Sequence, residues 1–241
     1  MTNLTSMQAS DFFSFPKSLE VFSHFFPGEN CPWTWLPNIE KALLAYQNFG
    51  PRNIFFKSIK KLFSRTSAAQ IGDNVYLGRD VKLPAVCTIG EHVYIGDGTE
   101  IRSGALIRGN AIIGKNCVIG NGCEIKNSLL MDHVQVAHFN YVGDSILGSH
   151  VHLAAGAILS NLRFDRQEIA IKAGGERIPT GLRKLGAILG ERVQIGCNAV
   201  LLPGSLVGRD SIISVGAVFG GFLAGRKIIR SDAKHIIADQ K

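Results

Sequence analysis

The sequence contains no Cys-x-x-Cys pair, and its five cysteines, Cys31, Cys87, Cys117, Cys123 and Cys197, are odd in number. A disulfide framework or a cysteine zinc site is therefore not expected; the pattern reads as a reduced, cytoplasmic protein with packing cysteines. The opening stretch MTNLTSMQASDFF has no basic segment leading into an apolar run, so no signal peptide is expected. No apolar run approaches about 20 residues, which argues against a transmembrane helix. No basic patch is interleaved with aromatics, so nucleic acid is not an expected partner. Acidic charge is also in short supply. The 19 Asp and Glu face 26 Lys and Arg, and the net charge of +7 by itself points to anionic partners: phosphorylated metabolites, coenzyme A, nucleic acid or acidic lipid.

What is present is a period of six. Ile71, Leu77, Leu83, Ile89, Ile95, Ile101, Ile107, Ile113, Ile119, Ile125 and Met131 recur at every sixth position. A second column of mostly small residues lies four places after each, at Val75, Val81, Cys87, Val93, Thr99, Ala105, Ala111, Cys117, Cys123 and Leu129. Neither a helix nor a hairpin series has this period; a solenoid does. Each hexad makes one short strand and one corner, with the aliphatic residue inward and Gly or Asn supplying the positive-φ turns. Three hexads close a triangular coil, and coils stack at about 4.8 Å. Arg108 and Lys126 each follow an inward aliphatic and are 18 residues apart, so they stack on one side. Two adjacent cations repel unless an anion bridges them, and a phosphate is one such anion.

The period slips over DHVQVAHFNY, residues 132–141, then resumes through Tyr141, Leu147, Leu153 and Leu159. Departures from a regular pattern concentrate at functional sites, which singles out this stretch. Before the repeats, residues 1–70 form a helical head with three amphipathic pieces, at 18–26, 33–49 and 52–65. The last of these reads as a cap over the open end of the solenoid, with a membrane-surface helix as the alternative. After Leu159 the period lapses across residues 161–184, which read as a protruding basic hairpin turning at Gly174-Gly175. Hexads return at Leu189, Ile195, Leu201, Val207, Ile213 and Phe219. The expected division is a head over 1–70, a β-helix over 71–225 and a basic tail over 226–241.

The hexads resemble those of the hexapeptide-repeat acyltransferases. The resemblance implies an all-β fold, a left-handed parallel β-helix, and a homotrimer with active sites between neighbouring prisms. More narrowly, HFNYVGDSILGSHVHLAAGAILSNLRFD resembles the acetyltransferase domain of the bifunctional sugar-1-phosphate nucleotidylyltransferase/acetyltransferases, in their archaeal form. Those enzymes acetylate glucosamine 1-phosphate with acetyl-CoA. By this resemblance His138 falls on the general base. Arg108 and Lys126 fall on the residues that hold the phosphate, and Tyr141 on a sugar-phosphate-binding tyrosine. Asn161 falls near the acetyl group and the amine, and Ala155 on a backbone N–H facing the thioester carbonyl. Cys197 and Val215 fall on backbone contacts to coenzyme A. No metal is implied.

The chemistry agrees with these assignments. An amino sugar at neutral pH is mostly an ammonium ion, and a histidine with a pKa near ~6.5 can take its proton. A corner N–H can stabilise the oxyanion. The chain departs from the pattern at His152, where an asparagine is usual, at Ala154 in place of a glycine, and at Gln167 in place of a lysine. These changes leave the sugar's identity open. No glycine-rich nucleotide loop precedes the repeats, so the uridylyl step is expected of another protein. Two further readings compete. One is a non-catalytic hexapeptide scaffold. The other is a γ-class carbonic anhydrase using His133 and His138, for which His92 is out of register as a third ligand.

Overall fold

The computed structural model describes residues 7–49 and 69–231. From Gln70 to Ile229 the chain is an all-β, left-handed parallel β-helix. Its first side stacks Ile71, Ile89, Ile107, Ile125, Val142, Leu159, Leu201 and Phe219 in register. The second side stacks Leu77, Ile95, Ile113, Leu130, Leu147, Leu189, Val207 and Leu223. The third stacks Ile101, Ile119, Val136, Leu153, Ile195, Ile213 and Ile229. The first two sides belong to one sheet, because the strands Thr88–Ile95 and Leu106–Ile113 run unbroken round the corner between them. Most of these inward residues are fully buried, which stabilises each by about 1.5–3 kcal/mol. The coils also run past the expected end of the repeat domain at 225, since Ile228–Ile229 pairs with Ile212–Ile213.

Registration corrects the reading of the slip. Leu130, not Met131, follows Ile125 in the core, and Val142, not Tyr141, faces inward. Residues 132–141 keep the regular hexad spacing, Leu130 to Val136 to Val142, with Val134 and Val136 inside. The irregularity lies on either side of them, in two five-residue steps, Ile125 to Leu130 and Val142 to Leu147. Both fall at the corner between the first and second sides. Ser128 and Ser145 take the corner column there, in place of the expected Leu129, and their hydroxyls replace backbone partners. Ser128 Oγ accepts from the Ser145 N–H at 3.1 Å, and Ser145 Oγ accepts from the Ala187 N–H at 3.0 Å. The 161–184 insertion leaves the solenoid at this same corner.

The insertion contains an antiparallel hairpin, Ala170–Ala173 with Glu176–Pro179, turning at Gly174-Gly175 with positive φ at both glycines. It does not protrude as a whole. Ile169, Ile171 and Ala173 are buried, packed against the outer surface of the second side and the head. Gly204 leaves them room, since a Cβ there would stand 2.6 Å from Ile169 Cγ2. The exposed part is the preceding turn, where Phe164 stands fully in solvent.

The described part of the head does not close the end of the prism. It lies along the second side, whose outward residues Ile112, Leu129, Met131, Ile146, Ile188 and Leu206 are apolar and fully buried. Residues 17–25 and 32–35 are 3₁₀ turns, and Asn38–Phe49 is the longest helix among the described residues, delayed past the expected start by Pro37. Phe22, Trp35, Leu36, Ile39 and Leu43 fill the seam. Two buried carboxylates on the prism anchor it: Asp132 accepts from the Ser18 hydroxyl at 2.5 Å and Glu191 from the Ser14 N–H at 2.6 Å. The amphipathic piece at 52–65, with its cap and membrane readings, lies outside the described residues. No helix among the described residues is long and apolar enough to cross a membrane.

Candidate active site

The first side of the prism is bounded by two columns of residues, and the expected site residues fall on them or between them. At the corner towards the second side, Arg108, Lys126, Gly143 and Ser160 follow the inward residues Ile107, Ile125, Val142 and Leu159. Tyr141 lies on the outer surface of the same side, paired with Glu124 in one neighbouring coil and Ile158 in the other. These positions converge on two carboxylates that carry no assignment from the sequence. Arg108 Nη1 donates to Glu124 Oε1 at 2.8 Å. Asp144, whose side chain is only 5% exposed, accepts from Lys126 Nζ at 3.1 Å and from Asn127 Nδ2 at 2.8 Å. Asn161 Nδ2 donates to Asp144 Oδ2, the oxygen that Lys126 also meets, at 2.5 Å. The stacked cations are therefore balanced by the chain's own carboxylates, where the sequence suggested a bound anion.

Tyr141 and Asn161 meet over Gly143, where a Cβ would come within 2.6 Å of the phenol oxygen and 2.7 Å of the amide nitrogen. Burial, and next the Glu124 carboxylate, push the Tyr141 phenol above its ordinary pKa. It stays a protonated donor throughout the neutral range.

The second column stands at the corner between the third and first sides. A backbone ladder defines it: Phe139 N–H donates to Asn121 O, Gly156 N–H to His138 O, Asn198 N–H to Ala155 O and Gly216 N–H to Cys197 O. His138, Ala155, Cys197 and Val215 thus follow one another up successive coils. His138 ends the strand Gln135–His138, is exposed, and its imidazole has no hydrogen-bond partner among the described residues. The Ala155 N–H likewise has no acceptor among them. Asn140, buried and overlooked in the sequence, shapes this corner: its Oδ1 accepts from the His138 N–H at 3.2 Å and its Nδ2 donates to Ala154 O at 2.7 Å.

The structure therefore gathers Arg108, Lys126, Tyr141 and Asn161 into one cluster and sets His138 apart, at the opposite edge of the same side. A side about three residues wide spans roughly 10 Å. His133 and His152 lie elsewhere. His133 stacks on His150 with ring centroids 4.7 Å apart, and His152 faces out from the third side, 3.2 Å from Gln194. Among the described residues no group of three His, Cys, Asp or Glu side chains could hold a metal ion. The buried cysteines are core residues; burial holds the Cys117 thiol up at about 12.

Comparison with known proteins follows the repeats. A family model described as the EIF2B subunit epsilon LbH domain matches residues 72–172. A bifunctional sugar-1-phosphate nucleotidylyltransferase/acetyltransferase of Sulfurisphaera tokodaii is 42% identical over 93 residues, covering 39% of this chain and 23% of that protein. The chain is similar to the acetyltransferase region of these bifunctional enzymes. The bifunctional protein GlmU of a Picosynechococcus strain is 33% identical over 156 residues, 65% of this chain and 26% of that protein. The chain thus spans about a quarter of the length of the curated relatives it matches. Among solved structures, the acetyltransferase domain of PglB from Neisseria gonorrhoeae, in complex with acetyl coenzyme A, aligns with a TM-score of 0.41 at 24% identity. That alignment covers 52% of this chain and 51% of that one.

Proposed function

We propose that the protein is an acyltransferase that moves the acetyl group of acetyl-CoA onto the amine of an amino-sugar 1-phosphate, glucosamine 1-phosphate or a relative. The observation that carries this reading is the pair of columns flanking the first side. One presents the His138 imidazole and the Ala155 N–H on successive coils, both without a partner among the described residues; the other, with the surface beside it, presents two cations, a phenol and an amide. The similarity to acetyltransferase regions supports it.

In this reading the donor lies along Ala155, Cys197 and Val215, and the acceptor's phosphate turns towards Arg108 and Lys126. Arg108 is the readier of the two, because its side chain is half exposed, whereas Lys126 is held by the buried Asp144. His138 takes a proton from the substrate ammonium. The free amine attacks the thioester carbonyl, forming a C–N bond, and the oxyanion accepts from the Ala155 N–H. The C–S bond then breaks; of the two protons the nitrogen gives up, one reaches the departing CoA thiolate by way of His138 and the other is released to solvent.

A homotrimer belongs to the same proposal. His152 occupies the position of a sugar contact, yet it stands on the third side, away from the Tyr141 cluster, so only another copy brings it to a site. The test is to incubate the protein with acetyl-CoA and glucosamine 1-phosphate or galactosamine 1-phosphate and to measure released thiol. His138→Ala is expected to lower turnover by about 10²–10⁴-fold. Turnover that is indifferent to this change rejects His138 as the base.

The self-neutralised Arg108–Glu124 and Lys126–Asp144 pairs favour one other reading, a hexapeptide scaffold without catalysis. A folded protein that binds no acyl-CoA and acetylates no amino sugar supports it.

A further inference from the structure

The columns along the first side change character at Asn161. In the coils before it they carry Arg108, Lys126 and Asp144. In the coils after it the same positions hold Ser160, Leu202 and Gly220, followed by Asn161, Pro203 and Gly221. The turn that begins the insertion arches over this second stretch. Together they enclose an open, largely apolar groove of about 490 Å³, walled by Leu162, Phe164, Ile169, Leu202 and Pro203, with the charged Arg163, Asp165 and Lys172 also on its lining. Phe164 and Leu202 are exposed in spite of being apolar. An apolar groove beginning directly beside a polar site marks a place for an apolar part of a ligand.

The register points to which part. Ala155, Cys197 and Val215 lead into the inward residues Leu159, Leu201 and Phe219. The groove residues Ser160, Leu202 and Gly220 come directly after those three. The donor column and the groove therefore occupy the same three coils, at opposite edges of one side. The surface between them is apolar, carrying Ile158, Val200 and Val218 outward. A thioester carbonyl at Ala155 faces the groove across this surface. The crossing is roughly 10 Å, which an acetyl group does not span and an extended chain of about six to eight carbons does.

We infer that the acyl donor of this site is not limited to acetyl-CoA, and that the groove between residues 160–170 and the coils of Leu202 and Gly220 receives the hydrocarbon chain of longer acyl-CoA thioesters. The inference rests on the proposed acyl transfer at His138 and extends its donor class. The bonds exchanged are unchanged: the amine nitrogen bonds to the thioester carbon, the C–S bond breaks, and CoA leaves as the thiol. The longer chain adds apolar burial, which favours binding in proportion to the area covered.

The test has a binding arm and a turnover arm. Acetyl-, butyryl-, hexanoyl- and octanoyl-CoA are titrated into the full chain by calorimetry, then compared in the thiol-release assay with glucosamine 1-phosphate. Affinity is expected to rise at least tenfold from acetyl-CoA to octanoyl-CoA. Leu202→Trp and Leu162→Asp, both at exposed positions, are expected to flatten that rise. Affinity independent of chain length, with acetyl transfer intact, overturns the inference and leaves the proposed function standing. Failure of every acyl-CoA in both arms overturns the proposed function itself. If Leu202→Trp changes the oligomeric state measured by light scattering and leaves the chain-length dependence untouched, the groove is a contact between copies and the inference falls.

Discussion

Asp144 is the residue on which the charged cluster hangs. Its buried carboxylate accepts from Lys126, Asn127 and Asn161 at once. Asp144→Asn would leave Lys126 with a weakened partner in a largely covered position, at a cost of about 3 kcal/mol. The expected result is a lowered melting temperature, and Lys126→Met in the same chain should recover most of the loss. A double-mutant cycle by thermal denaturation checks this, and additive effects would show that the pair is not coupled. The sequence pointed to Arg108, Lys126, Tyr141 and Asn161, because cations at equivalent hexad positions and a specific motif are visible without coordinates. It did not point to Glu124 or Asp144. An acidic residue at an outward position looks the same whether it is solvated or paired one coil away. Only stacking distinguishes the two, as it does for Asn140, whose amide holds the His138 turn from inside.

At the scale of the strand and corner, the two short steps show what a period can and cannot reveal. Ten matches in a row made the solenoid legible. The phase through residues 126–147 was not legible, because the second side carries apolar doublets, Leu129-Leu130 and Ile146-Leu147, with one member inward and one outward. Counting by six selects Met131 and Tyr141; hydrogen bonding selects Leu130 and Val142. The short corners depend on serine. Ser145→Ala would remove the acceptor of the buried Ala187 N–H and the donor to Gly143 O. A loss of about 1–3 kcal/mol is expected, read from denaturant melts, while Ser160→Ala, whose hydroxyl has no hydrogen-bond partner among the described residues, should cost less.

Across the whole molecule, the head is the larger departure from expectation. Repeat folds need their ends covered, which favours a cap from residues 52–65, outside the described residues; the described part of the head lies along the prism's flank, on the apolar outer surface of the second side. The same doublets that obscured the phase were the signal, since on the second side they run without a break from Ile112-Ile113 to Phe222-Leu223, whereas the other two sides interrupt them with Glu124, Gln135, His152 and Gln194. Tyr94 sits in this seam, edge-on to Phe22 and Tyr46, and burial raises its phenol to about 12. A raised folded-state pKa means that the neutral phenol supports the fold. That support is complete below pH ~10 and is lost as pH rises towards about 12. Melting temperature should therefore fall steeply between those values. Tyr94→Phe should remove part of the slope, and an unaltered slope would place the alkaline sensitivity elsewhere.

The head's attachments also set an order in time. Each coil of the solenoid contacts the coils beside it, so the prism can zip up from any point along its length. The head has no such freedom. Ser14 is held by Glu191, 177 residues away, and the Ser10 carbonyl by Arg209, 199 residues away. A segment that precedes the solenoid in the chain thus finds its seat only after the coils carrying Glu191 and Arg209 have formed. Until then its phenylalanines and tryptophans wait uncovered, opposite an equally uncovered flank. Substitutions in this seam should therefore leave the rate of folding nearly unchanged and speed unfolding.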